Sequence, residues 1–115
     1  MSEHYRHGSY ETWDFIDDLH LSYCEGNVVK YLTRLGRKGP PGPDMEKAYN
    51  YALRLVTRHL NPPNHYPRPV NVKIYTSSQG LDPWVESAFN ALVEGRYLDL
   101  LREIEAQRES TATGS

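Results

Sequence analysis

Asn27, Lys30 and Arg34 recur at i, i+3 and i+7, the spacing that sets side chains on one face of a helix. Arg37 and Lys38 follow directly, and a second run places Lys47, Tyr51, Arg54 and Arg58 along another helical face. Arginine grips a phosphate through two parallel hydrogen bonds, while lysine supplies a compact point charge. If the two faces converge, they make one pocket for a small anion. Trp13, Tyr23 and Tyr51 are the neighbouring rings on which a base can stack. The ligand-binding candidates are therefore Asn27, Lys30, Arg34, Lys38, Lys47 and Tyr51, with Arg37 and Arg54 beside them. An exposed arginine contributes little to folding, so loss of Arg34 is expected to weaken binding and leave stability unchanged.

Residues 22–51 must position these groups. Ser22 and Glu25 have the spacing of a capping box, which predicts a helix start at residue 22. Cys24, Val28, Tyr31, Leu32 and Leu35 form its apolar stripe, and Gly36 suits its end. Gly26 costs helix stability, so a partner helix or a ligand is expected to come close there. Residues 36–43 hold Gly and Pro in alternating clusters but lack the phosphate-cradling Walker A order. Asp44 is the expected N-cap of the next helix, which carries Met45, Ala48, Ala52 and Leu55 inward. Upstream, residues 11–19 predict a short helix with Trp13, Ile16 and Leu19 on one stripe and Phe15 beside it. Its acidic face of Glu11, Asp14 and Asp18 suits either Mg²⁺ or the positive end of the helix dipole.

Beyond residue 60 the signals change. Residues 61–69 carry four prolines and cannot be helix interior. Val70, Val72 and Ile74 alternate with Asn71, Lys73 and Tyr75, which predicts a strand over residues 70–75. A lone strand needs a partner, so this one is expected to pair with its copy in a second subunit. Asp82-Pro83 opens a helix ended by Gly95, and a last helix is expected over residues 96–108. The resulting fold is mainly α, a compact helical domain of four to five helices with one short strand, completed by oligomerisation. It divides into a helical core (1–60), a proline-rich connector (61–69), a strand plus two-helix extension (70–108) and a disordered tail (109–115).

Several motifs resemble a small phage-type domain of largely unknown function, often labelled nucleotide kinase-like. They are His4-Tyr5, Asp14-Phe15-Ile16, Gly26-Asn27-Val28-Val29-Lys30-Tyr31-Leu32 with Arg34, Lys38-Gly39, and Asp44-Met45 with Lys47, Ala48 and Tyr51. The resemblance covers roughly residues 3–58, and the label rests on a coliphage deoxynucleoside-monophosphate kinase that lacks a P-loop. It implies a nucleotide ligand and adds His4 and Tyr5 to the candidate site.

Composition narrows the classes further. The chain has 115 residues and a formal net charge of −2, which argues against coating extended nucleic acid or a membrane surface. Residues 30–58 nevertheless carry seven Lys and Arg against Asp44 and Glu46, a local excess suited to one small polyanion. One cysteine excludes an intrachain disulfide and fits a cytoplasmic protein, in the host cytoplasm if phage-encoded. No nucleophilic triad or zinc spacing stands out, no cofactor is evident, and Mg²⁺ would accompany a nucleotide. Three readings follow: a nucleoside-monophosphate kinase-like phosphotransferase, a non-catalytic binder that sequesters a nucleotide or cyclic-nucleotide signal, and an oligomeric interaction protein.

Overall fold

Six helices make up the structure, a computed structural model that describes residues 10–37, 39–58 and 69–113. They are α1 (Thr12–Asp18), α2 (Tyr23–Thr33), α3 (Pro41–Thr57), α4 (Pro69–Gln79), α5 (Pro83–Val93) and α6 (Tyr97–Thr113). The fold is mainly helical as expected, but the described residues contain no strand. His4, Tyr5, Lys38 and most of the proline-rich connector lie outside the described residues.

Helix α2 is the axis. Its start is the capping box read from sequence: Glu25 N–H donates to Ser22 Oγ at 3.3 Å, and Ser22 N–H donates to Glu25 Oε1 at 2.8 Å. Glu25 is fully buried, and its other oxygen accepts from Tyr97 of α6 at 2.7 Å. Val28, Val29 and Leu32 face the core. Gly26 has a packing reason, since a Cβ there would lie 3.4 Å from Ile16 Cγ2 of α1. The close approach signalled by that glycine comes from a partner helix. Phe15 on α1 and Leu19 just after it are the buried pair, whereas Trp13 is 65% exposed.

Two expectations fail for identifiable reasons. Helix α3 starts at Pro41, not at Asp44, because proline is tolerated in a first turn where its missing N–H has no helical partner. The segment expected as a strand is α4. Its buried residues, Val72, Tyr75 and Thr76, follow helical spacing, and Ile74 points out at 53% exposure. Hydroxyls that would favour a strand or turn fold back instead: Thr76 Oγ1 donates to Val72 O at 2.9 Å and Ser78 Oγ to Tyr75 O at 3.1 Å. Gly80, with φ of +67°, ends the helix, and Leu81 N–H bonds Thr76 O at 2.9 Å. With the strand gone, the argument for pairing across a subunit interface goes too. Helix α6 also runs on to Thr113, through residues expected in the tail.

One buried side chain decides the register of α4. The Tyr75 ring stacks on Phe15 at 4.3 Å between centroids, with planes 5° apart. Its hydroxyl lies 2.8 Å from both Thr12 Oγ1 and Thr33 Oγ1, so α1, α2 and α4 share one hydrogen-bonded point. Tyr10 closes the same corner. Its phenol donates to Asp18 and accepts from Asn71 at 3.0 Å, and its carbonyl accepts from Gln79 at 2.9 Å. Residues from all six helices join in a single core cluster that includes Phe15, Val28, Leu55, Tyr75, Phe89 and Ile104.

Tyr75→Phe keeps the ring but strips two threonine hydroxyls of their shared partner. We expect a loss of about 1–3 kcal/mol in urea unfolding with unchanged helical circular dichroism. A wild-type midpoint would show that the hydroxyl does not hold the corner. Burial, reinforced by the Asp18 bond and opposed by Asn71, pushes the Tyr10 phenol up to about 12. Burial likewise raises Tyr75 and Tyr97, the latter with help from Glu25. A raised phenol favours the protonated form in the fold, so its contribution is whole below the unfolded value of about 10 and is lost above it. Urea midpoints are therefore expected to fall as pH rises from 10 through about 12, the value for Tyr10. A flat midpoint across that window would contradict this.

Candidate functional site

The end of α2 carries the cations into a groove. Lys30, Arg34 and Arg37 line a cleft of about 830 Å³ whose opposite wall is α1, with Glu11, Trp13 and Ile16. Asn27 lines it one turn earlier, although its amide N–H is already used on the Tyr23 carbonyl at 2.9 Å. Thr12 and Thr33, the residues bridged by Tyr75, also line it. Trp13 and Tyr23 stand at this groove 65% and 76% exposed, two large rings left in water beside lysine and arginine. A flat aromatic group with an anionic arm fits such a lining.

The three groove cations differ in what they already hold. Arg37 is committed to α4: its guanidinium donates to Gln79 Oε1 at 3.1 Å and to the Gln79 carbonyl at the helix C-terminus. Arg34 Nε lies 3.3 Å from Asp44 Oδ1, across to the first turn of α3. That pair is held by charge and not by an aligned hydrogen bond, since the buried Nε–H finds no acceptor in bonding geometry. Lys30 is exposed and is bound by no carboxylate among the described residues; its amine sits 5.1 Å from the centroid of the Tyr31 ring.

Lys47 and Tyr51 reach the same neighbourhood from α3 without lining the groove. Lys47 Nζ lies 5.3 Å from the Tyr31 centroid, and Tyr51 stacks on that ring at 6.1 Å. Tyr23 meets Tyr51 edge to face at 6.0 Å, and the neighbouring Tyr23 phenol is the main cause raising Tyr51 above its ordinary value. The structure thus brings together Asn27, Lys30, Arg34, Lys47 and Tyr51, while Lys38, His4 and Tyr5 lie outside the described residues. Arg54 and Arg58 are exposed further along α3 and do not line the groove.

Three participants were not legible as such. Tyr31 reads as core, yet it is the half-buried ring on which the cations converge. Gln79 carries no signal in the sequence, yet it lines the groove and anchors Arg37. Asp44 reads as an N-cap, yet it is the carboxylate paired with Arg34. The acidic face of α1 is spent structurally at Asp18, which accepts from Tyr10. Among the described residues, no three His, Cys, Asp or Glu side chains come together as a metal-binding group. No described helix is long and apolar enough to cross a membrane.

Residues 1–53 match the profile of a sequence family described as a protein of unknown function (DUF3310). The matched stretch covers the motifs read from the sequence and both helical walls of the groove, and it stops within α3. No curated protein and no solved structure matches the chain.

The Arg34–Asp44 pair corrects one expectation. Asp44 is only 6% exposed, so removing Arg34 leaves a nearly buried carboxylate without its cation. Arg34→Ala is expected to cost about 1–2 kcal/mol of stability, below a fully buried pair because Arg34 itself is partly exposed. Asp44→Asn should show the same loss in urea unfolding, and the double substitution less than the sum of the two. Fully additive losses would mean that the pair carries no stability.

Proposed function

We propose that this chain is a nucleotide-binding protein, of the phage-type kind its first half resembles, and that the α1–α2 groove is the binding site. The observation supporting this is the company kept in one cleft: two exposed rings, Trp13 and Tyr23, beside Lys30 and Arg34. The base stacks against the rings, and the phosphate meets the cations at the C-terminal end of α2. Phosphoryl transfer depends mainly on positioning and charge neutralisation, which such groups supply, so a kinase-like reaction is compatible with the same seat. Any Mg²⁺ enters with the nucleotide, carried on its phosphates.

Lys30 is the cleanest probe because its charge supports no ion pair among the described residues. In titration calorimetry across nucleoside mono- and triphosphates, Lys30→Ala is expected to weaken the best ligand by about 1.5–3 kcal/mol. Its stability should stay within about 0.5 kcal/mol of wild type. Trp13→Ala should cost about 1–3 kcal/mol for nucleotides and leave inorganic phosphate unaffected, the range for one stacked base. Arg102→Ala, exposed on α6, serves as the control. Wild-type affinity in Lys30→Ala, or no binding by any nucleotide, would overturn the reading. Incubation with a nucleoside triphosphate and labelled monophosphates then divides the two versions: turnover marks a phosphotransferase, and stoichiometric retention marks a sequestering binder.

A further inference from the structure

Three cationic heads from two helices point at one ring. Lys30 Nζ, Lys47 Nζ and Arg34 Cζ lie 5.1, 5.3 and 5.8 Å from the Tyr31 centroid. All three charges therefore fall within the roughly 6 Å reach of a cation–π contact around a single point. One carboxylate, Asp44, offsets one of them through Arg34. Glu46, the sequence neighbour of Lys47, is turned away to Arg108 at 2.6 Å. Glu11 belongs to the opposite, α1 side of the groove. Among the described residues, the formal balance around Tyr31 is three positive charges less one negative, a local excess of two. Like charges gathered this closely repel, and the face of a tyrosine ring offsets only part of that. Arg34 also brings a buried Nε–H that lacks an aligned acceptor.

We infer that the groove end beside Tyr31 is a charge-selective seat for a terminal phosphate, a phosphomonoester or polyphosphate end, in preference to a phosphodiester. Lys47 of α3 sets that preference. The match is one of charge: a phosphomonoester carries about −1.5 to −2 at neutral pH, a diester −1. Lys30 and Arg34 line the groove and meet either anion. Lys47 does not line it, but its amine lies 5.3 Å from the Tyr31 centroid beside Lys30 and Arg34, so it adds the second uncompensated charge, which a dianion matches better than a monoanion. A cyclic nucleotide, an internal diester, is thereby disfavoured. The inference rests on the groove reading above for the base end of the ligand.

The test compares two ligands with one base, 5′-AMP and 3′,5′-cyclic AMP, and adds inorganic pyrophosphate as a probe without a base. Calorimetry uses the full chain as wild type, Lys47→Ala and Lys47→Arg. Wild type is expected to favour 5′-AMP over the cyclic diester by at least about tenfold. In Lys47→Ala the gap should close to less than about threefold, mainly through loss of 5′-AMP affinity, and Lys47→Arg should restore it. Equal wild-type affinities, or a Lys47→Ala variant that weakens both ligands alike, would overturn the inference and leave the groove reading intact. Pyrophosphate bound by wild type and lost in Lys47→Ala, with neither nucleotide bound, would uphold the seat and sink the nucleotide reading. Silence from all three probes would sink both. Lys47 is exposed, so matched urea midpoints for the three proteins are expected and serve as the folding control.

Discussion

A buried phenol has to place its hydroxyl somewhere, and in this chain the placement of Tyr75 sets the rest. Its ring is enclosed by Phe15, Phe89 and Tyr10, and among the described residues its hydroxyl is met by Thr12 and Thr33, at 2.8 Å each. Leaving that hydroxyl unpaired in the core would cost about 1–3 kcal/mol, a sizeable part of the stability of a domain this small. The two threonines that satisfy it also line the groove. One constraint thus fixes the helical register of α4, the spacing of α1 against α2, and the floor of the candidate site.

Helix α2 is clamped at both ends by groups that must be paired. At its start, buried Glu25 takes one bond from the Ser22 backbone and one from Tyr97, which fastens the cap to α6. At its end, Arg34 reaches Asp44 on α3, and Arg37 covers the C-terminal carbonyl of α4, where a cation is favoured by the helix dipole. Charged residues that look like ligand-binding candidates are therefore unequal. Arg37 is largely structural, Arg34 serves both the fold and the groove, and among the described residues Lys30 and Lys47 are held by the Tyr31 ring and by no carboxylate.

This inequality explains what was legible in the sequence. Signals that act within a turn or two read correctly as helix geometry: the Ser22–Glu25 box, the shared face of Asn27, Lys30 and Arg34, and the glycine that follows α5. Gly26 announced a close neighbour because its cost in a helix demanded a reason, and Ile16 is that neighbour. The misreadings share one cause. Residues 70–75 alternate like a strand, and only burial of Tyr75 between two other helices selects the helical period. Asp44 has the type of an N-cap, and only the position of α2 turns it into a counter-ion for Arg34. The role of Tyr31 depends on Lys47 arriving from α3, which no spacing within α2 encodes.

The division between the two halves of the chain follows from the same contacts. The family match ends at residue 53, after both helical walls of the groove, which taken alone marks the later residues as an appendage. They are not separable from the site. Tyr75 and Gln79 of α4 hold the groove-lining Thr12, Thr33 and Arg37, and Tyr97 of α6 holds Glu25 at the start of α2. Each of these bonds joins a residue inside the matched stretch to one beyond it. The second half therefore works on the groove from behind, by satisfying buried polar atoms of the first. A chain carrying the same first half with a different continuation would need its own partners for Thr33 and Glu25 before the groove could keep this shape.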